Sequence, residues 1–421
     1  MIVFKDAEKR RDSGESVESA VREILDAVKR SGDEAVLGYT EKFDGYRPSA
    51  IRVETKTIKE AYSKVDAETV ESLEFAAGRI EGFARRQRES LRELRYEISP
   101  GVVLGHRLIP VASCGCYVPA GRYPLPSSAL MSIIPARVAG VGRIAAASPA
   151  SAGVDGGRDG IHPAVLVAMD LAGVDEVYRM GGAQAIGAFA YGTRSVAGVD
   201  IVVGPGNKYV TEAKRQVSGA VGIDMLAGPS EAVIIADESV EPRWIAADAL
   251  SRCEHDPNSW SILLLTSMEL AKTVAAEIDN ELQNLKTVEL AGQTWKNNGK
   301  ILVVDSLEEA ADLSDAIAPE HLQVMTADSA GLAARLRNFG SLFVGRYAPV
   351  PFGDYVSGPN HILPTSGCAR FSNGLNVNTF IKVSTFQEIT VEGARFLSPR
   401  CARLAEIEGL YGHRRSAELR E

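Results

Sequence analysis

From Gly101 onward the chain alternates short apolar runs with stretches of helical spacing, and this rhythm constrains the fold more than any other feature. The runs "RIAAAS", "EVYRMG", "VDIVVG", "EAVIIAD", "SILLLTS", "ILVVDS" and "SLFVG" have strand length. Between them, "PAVLVAMDLAG" and "NKYVTEAKRQVSG" carry apolar residues three and four apart. Strands separated by helices lie parallel, because a parallel neighbour is reached only through a crossover. The expected class is therefore α/β with mostly parallel sheets. At 421 residues the chain is too long for one ordinary core, and two or three packed units are expected.

The rhythm is framed by other textures. Over residues 16–32, Val17, Ala20, Val21, Ile24, Leu25 and Val28 form one stripe of an amphipathic helix that Gly32 can end. A second helical stretch is expected over 58–95, with Val70, Leu73, Ala77, Ile80 and Ala84 on one face. "SAGVDGGRDG" reads as a surface loop, since the α/β rhythm resumes at once. After about Pro351 the chain passes through "PFGDYVSGPNHILPTSG" into a charged helical tail, "EIEGLYGHRRSAELRE". So short a tail cannot bury a core of its own and must dock on the body or on a second subunit.

A formal charge of -9 without a basic tract argues against nucleic acid as a partner. The apolar start "MIVF" is too short for a signal peptide, and no run approaches the roughly 20 residues of a membrane span. Five scattered cysteines form no disulfide framework, which points to a reducing, cytoplasmic setting. Cys114 and Cys116 lack a second pair and read as packing rather than zinc ligands.

Four of the six histidines stand beside carboxylates or in turn-rich segments: His255 in "CEHDP", His321 in "APEHLQ", His361 in "GPNHILPT" and His413 in "EGLYGH". Neutral imidazole ligates metals and transfers protons near neutral pH. His106 and His162 lack such company and read as structural. Asp354, seven residues before His361, adds a carboxylate to a set that suits zinc with an open position; alternatively it caps a turn. "IVVGPGNKYVTEAKRQV" and "MGGAQAIGAFAYG" each read as strand, glycine turn and helix, pointing backbone N–H groups at an anion. The competing reading is close helix packing on the sheet. "YVPAGRYPLPSSALM" and "LAGPSEAVIIAD" offer Tyr117, Arg122, Ser127, Ser128, Ser230 and Glu231 on binding loops, and no G-x-S-x-G elbow is present.

Taken together, "YVPAGRYPLPSSALMSIIPARVAGV", "GGAQAIGAFAYGT", "VGPGNKYVTEAKRQV", "IDMLAGPSEAVIIAD", "EHDP", "APEHL", "GDYVSGPNHILPT" and "EGLYGH" resemble the histidinol dehydrogenase family, in order and across nearly the whole chain. The resemblance implies two incomplete Rossmann-like units: residues 1–114 with 232–375, carrying the N-terminal helices, and 115–231, contacting NAD. A C-terminal helical tail, 376–421, would be exchanged within a homodimer. It implies a zinc-dependent, NAD-linked enzyme that oxidises L-histidinol through the aldehyde to L-histidine, the last step of histidine biosynthesis. Carried over, Tyr117, Gln184 and Asn207 would contact NAD, while Ser230, His255, His321, Asp354, His361, Glu408 and His413 would surround the small-molecule alcohol. The family's zinc is held by a glutamine, two histidines and an aspartate; His255, Asp354 and His413 match three of them. Glu320 and His321 match the acid–base pair.

The glutamine position, three residues before His255, is Arg252. Arginine has no free lone pair for zinc, and a guanidinium beside a divalent cation is a like-charge contact. Cys253 lies about 200° round the helix from His255 and points away. Glu254, about 100° off, would serve only if the following Asp-Pro unwinds the turn. Three arrangements remain open: zinc on three protein ligands, zinc with Glu254 recruited, or a metal-free site in which Arg252 binds an anionic group of the substrate. The last would suit a carboxylate, sulfonate or phosphate, and "GRYPLPSS" is reminiscent of relatives that oxidise sulfonated diols. Asn376 and Asn378 in "GLNVNTF" are a further point of difference. A non-catalytic NAD-binding relic is the competing class, and it has no need of Glu320 and His321.

Overall fold

The computed structural model describes residues 1–8, 16–45, 47–120, 123–150 and 160–420. A short strand, β1 (Ile2–Lys5), precedes four helices: α1 (Glu18–Ser31), α2 (Asp33–Asp44), α3 (Thr55–Ala61) and α4 (Ala67–Ser90). The expected helix over 58–95 is thus interrupted. Asp66 adopts an extended conformation and accepts the Thr69 N–H at 2.8 Å, starting α4 afresh. Its far end turns into a hairpin of β2 (Leu94–Ser99) and β3 (Val102–Pro110).

The first α/β unit follows: β4 (Ser113–Tyr117), α5 (Pro126–Ala139), β5 (Arg143–Ser148), α6 (Pro163–Ala172), β6 (Glu176–Arg179), α7 (Gly182–Tyr191), β7 (Ile201–Val203), α8 (Lys208–Val217) and β8 (Gly222–Ile223). Its five strands are parallel in the order β6-β5-β4-β7-β8. Alternation along β5 divides the core: Ile144 and Ala146 pack with α5 and α6, Ala145 and Ala147 with α7. Cys114 and Cys116 are buried on the first of these faces, as packing residues. Gly115 between them leaves room for Phe189, whose ring would lie 2.8 Å from an added Cβ. The loop expected at 151–160 falls outside the described residues except for Gly160.

The second unit contains β9 (Glu231–Ala236), α9 (Pro242–Cys253), β10 (Trp260–Leu265), α10 (Met268–Leu282), α11 (Val288–Asn298), β11 (Gly299–Val303), α12 (Leu307–Ile317), β12 (His321–Met325), α13 (Ser329–Ala333), β13 (Ser341–Val344) and α14 (Val350–Tyr355). Its sheet order is β1-β11-β10-β9-β12-β13, parallel except for β1. Finally β14 (Ile381–Ile389) pairs antiparallel with β3 to make a three-stranded sheet, and α15 (Val391–Ile407) and α16 (Tyr411–Glu418) form the tail. No helix among the described residues is long and apolar enough to cross a membrane.

The helices between β1 and β2 differ from their expected allegiance with 232–375. Only β1 joins that sheet. Val21, Ile24, Leu25 and Val28 of α1 pack with α7 and α8, while Leu73, Ile80 and Ala84 of α4 pack with α5 and α6. Gly187 permits the α1 approach, since a Cβ there would stand 3.1 Å from Leu25.

Beneath the turn after β7 lies a buried ion pair of Lys214 and Asp224. Lys214 also donates to the Gly204 carbonyl at 2.9 Å, and Asp224 accepts the Gly204 N–H at 2.8 Å. Breaking such a pair leaves an unanswered buried charge. Lys214→Met is therefore expected to lower the unfolding free energy by about 3–5 kcal/mol. Urea titration is the measurement, and a loss within experimental error would refute the assignment.

Candidate active site

Strand order in the first sheet reverses beside β4, with β5 and β6 on one side and β7 and β8 on the other. The helices after β4 and β7 accordingly leave on opposite faces, and the carboxyl ends of these strands form the switch point at which open α/β sheets take their ligands. Tyr117 ends β4, and its hydroxyl accepts the Gly182 N–H at 3.1 Å, at the start of α7. Gln184 is buried in the first turn of that helix with Oε1 unpartnered. Gly204, at φ 117°, passes so close to the Tyr117 carbonyl that no Cβ would fit. Asn207 caps α8 by accepting the N–H groups of Tyr209 and Val210. Two helix N-termini and an orphaned amide oxygen fit the phosphates and polar groups of a dinucleotide such as NAD. Arg122 lies outside the described residues.

The second group of residues gathers at the opposite kind of edge, the amino ends of β9 and β12, where His321 is in register with Ala232. His321 opens β12 with Glu320 directly before it, and Glu231 opens β9 with Ser230 directly before it. α9 runs back to this edge and delivers Arg252 in its last turn. α14 brings Asp354, with Gly353 lying against the Phe343 ring of β13. Arg252, Glu320, His321 and Asp354 are all buried, Arg252 being 3% exposed.

Their contacts form one network. Arg252 donates from Nη2 to Asp354 Oδ2 at 2.9 Å and from Nη1 to Ser230 Oγ at 2.9 Å. Ser230 Oγ donates in turn to Glu320 Oε2 at 2.7 Å, and the Glu231 N–H reaches the same oxygen at 2.8 Å. His321 Nδ1 lies 3.1 Å from the Glu231 carbonyl and 3.3 Å from Glu320 Oε2. A carbonyl only accepts, so Nδ1 carries hydrogen and Nε2 is the nitrogen that exchanges a proton. Nε2 faces Asp354 Oδ1 at 3.3 Å without an aligned hydrogen bond. His361 bridges the units: Nδ1 donates to the Asp354 carbonyl at 2.8 Å, and Nε2 lies 3.2 Å from Ser128 Oγ on α5.

These charges set each other's protonation. Burial and the Arg252 charge act to lower the His321 pKa, but Glu320 and Asp354 outweigh them and push it up to about 9. Burial acts to raise Asp354, yet Arg252 and His321 hold it well below the usual carboxylate range. Glu320 is likewise lowered, against burial, chiefly by His321 and Arg252. Burial lowers His361, which stays neutral. His255 is exposed in the turn after α9, yet partial desolvation and the nearby Arg252 push it down to about 4.

A divalent metal does not fit this donor set. Among the described residues no three His, Cys, Asp or Glu side chains come together as a metal requires. The notion that Glu254 is recruited is corrected: its carboxylate accepts the Thr287 hydroxyl at 2.7 Å, beside α11, and turns from the cluster. Cys253 points into the core, as its helix angle implied, and donates to the Ala249 carbonyl. Glu408 and His413 sit exposed on the tail, and neither hydrogen-bonds to the cluster within the chain. Arg252 already holds Asp354. A divalent ion about 4 Å from that guanidinium would meet repulsion on the order of 4 kcal/mol per unit charge at an effective dielectric of roughly 20.

The arginine–aspartate pair was not read from the sequence, because 102 residues separate its members. Asn360 also escaped notice; it donates to the Met131 carbonyl at 2.6 Å and ties the glycine-rich segment to α5. A hint lay in its place directly before His361. His106 and His162 are structural, the first against the Arg92 carbonyl and the second capping α6.

A family model described as "Histidinol dehydrogenase" matches residues 7–421. A histidinol dehydrogenase from Bacillus thuringiensis subsp. konkukian is 45% identical over 407 residues, covering 96% of this chain and 93% of that protein. One from Agrobacterium fabrum is 45% identical over 413 residues, covering 98% and 94%. The crystal structure of histidinol dehydrogenase from Elizabethkingia anophelis superimposes with a TM-score of 0.92 at 35% identity, over 98% of this chain and 94% of that one.

Removing one member of the central pair strands the other. Asp354→Asn is expected to cost about 3–5 kcal/mol of stability by leaving Arg252 buried without its counter-charge. The double variant Arg252→Met/Asp354→Leu should be more stable than Asp354→Asn, because no lone charge remains. Denaturant unfolding of the set measures this, and a single-variant loss below about 0.5 kcal/mol would contradict it.

Proposed function

Because the chain belongs to the histidinol dehydrogenase family, a family of NAD-dependent oxidoreductases, we propose that it oxidises L-histidinol through the aldehyde to L-histidine in histidine biosynthesis. The observation that carries this reading is the buried Glu320–His321 pair, with Nδ1 held by the Glu231 carbonyl and Nε2 left to exchange a proton. A binding protein has no use for such a pair. NAD, held over Tyr117, Gln184 and Asn207, supplies the hydride acceptor when bound. His321 Nε2 takes the hydroxyl proton in the first oxidation. The Glu320 carboxylate, kept ionised by its neighbours, activates the water that attacks the aldehyde in the second. His361 and Ser128 join the two units beside this chemistry.

A second reading, an anionic alcohol such as a sulfonated diol, is favoured by one observation: Arg252 brings a buried guanidinium with an unpartnered Nε to the site. A homodimer with exchanged tails also forms part of the proposal. Its support is the apolar surface of the tail, where Leu404, Ile407, Leu410 and Tyr411 are exposed. Glu408 and His413 would then enter the second copy's site. A cytoplasmic location fits a chain with five unpaired cysteines.

The test is NADH formation by the purified protein with L-histidinol, against a panel of anionic diols. Two NADH per histidinol and histidine as product are expected; turnover of a diol alone would sink the histidinol assignment. With a His321 pKa of about 9, the base form is scarce at neutrality. kcat/KM should rise roughly tenfold per pH unit below that value and level off near it. His321→Asn should reduce kcat by about 10²–10⁴ and abolish the rise. A flat profile between pH 7 and 9 in the unaltered enzyme would remove His321 from the role of base.

A further inference from the structure

Arg252 stands where the family places a neutral metal ligand, and its surroundings have been completed around a guanidinium. Asp354 and Ser230 each accept one of its N–H groups, one from each Nη. A guanidinium has five N–H groups, so three remain. One of them, on Nε, is buried and unpartnered. Asp354 meanwhile presents Oδ2 to Arg252 and Oδ1 to His321 Nε2. A fixed cation and a proton acceptor thus flank the same carboxylate.

Within the site the remaining donors for a metal are few. Glu254 faces Thr287, and position 252 has no lone pair. Of the family's ligand positions His255 and Asp354 are left; a tail histidine from a second copy would make three, but Asp354 is already paired with Arg252 at 2.9 Å, and any ion it held would stand beside that guanidinium. A hydroxyl oxygen placed beside Arg252, by contrast, meets a hydrogen-bond donor whose charge is permanent.

We propose that the Arg252 guanidinium takes the place of a metal ion in this chain, neutralising Asp354 and receiving the oxygen of the substrate alcohol, so that oxidation proceeds without a divalent cation. The inference rests on the reading of the site as an alcohol dehydrogenase. In the step, the carbon–hydrogen bond breaks and its electron pair passes as hydride to NAD+. The hydroxyl proton passes to His321 Nε2 and the carbon–oxygen double bond forms. Arg252 stabilises the negative charge that develops on oxygen and remains protonated throughout.

Metal content, zinc calorimetry and chelator sensitivity of the full-length protein and its Arg252→Gln variant test this, with L-histidinol and NAD+ as the assay. The unaltered protein is expected to hold far less than one zinc per chain, and its NADH formation should survive a chelator unchanged. Arg252→Gln should take up about one zinc per site and become chelator-sensitive. A glutamine variant that binds no zinc would overturn the idea that the guanidinium keeps the ion out. Should that variant fail to fold, Arg252→Lys replaces it: lysine keeps the charge and should exclude zinc, while losing the fork should lower kcat about tenfold or more. Stoichiometric zinc in Arg252→Lys would overturn the proposal. Stoichiometric zinc in the unaltered protein, with turnover lost to a chelator and restored by zinc, overturns this inference alone. A zinc-free protein that turns over no alcohol overturns the dehydrogenase reading and this inference with it.

Discussion

The buried ion pair of Arg252 and Asp354 is the contact around which the second unit's functional residues are arranged. A guanidinium 3% exposed needs its charge answered inside the protein, and the answer is supplied from distant parts of the chain. Asp354 comes from α14, Ser230 from the start of β9, and Glu320 is reached through Ser230. Each bond also fixes a backbone position: the end of α9, the amino end of β9, the start of β12. With Arg252 exchanged for an apolar side chain, Asp354 would retain His321 alone as a charged neighbour at ion-pair distance.

The two sheets contribute unlike edges to one enzyme. The first presents carboxyl ends, glycine turns and helix N-termini, which suit a phosphate-bearing cofactor. The second presents the amino ends of β9 and β12, where the paired acid and base emerge. The link from β8 to β9 leads from one edge to the other, and Thr365 closes it by accepting the Gly228 N–H at 2.5 Å. His361 adds a second tie, through Ser128 on one side and the Asp354 carbonyl on the other. Both ties come from the glycine- and proline-rich passage after β13, so that passage serves as the seam between cofactor and acid–base residues.

What was legible in the sequence follows from how local each signal is. Apolar strands such as β9 and β10 are buried on both faces and declare themselves as continuous runs. β12 does not, because it begins with His321 and carries Gln323, a buried amide that donates to Asp248 at 2.6 Å and to the Ala348 carbonyl at 3.3 Å. β14 mixes polar and apolar residues without a strict period of two and finds its partner in β3, most of the chain away. Likewise the stripe on α1 announces a buried face without naming the sheet it meets. In the site, the histidines and carboxylates were visible as residue types in turn-rich company. Their pairing was not, since no spacing rule joins Arg252 to Asp354. Helix geometry sent Cys253 inward correctly, whereas Glu254 is engaged by Thr287, the residue that precedes α11.

Charge balance couples position 252 to the proton on His321. With Arg252 and His321 positive and Glu320 and Asp354 negative, the buried cluster is neutral, and the imidazole holds its proton up to about 9. A divalent ion in place of the guanidinium would add a positive charge beside the same ring and favour its neutral form. An arginine here therefore has two consequences. It supplies a cation that cannot be lost to a chelator, and it leaves the base more strongly basic than a metal would. A stronger base draws the hydroxyl proton more firmly once it is free, but is free less often at neutral pH. The two effects oppose each other, so residue 252 influences the pH at which this site works as well as what it binds.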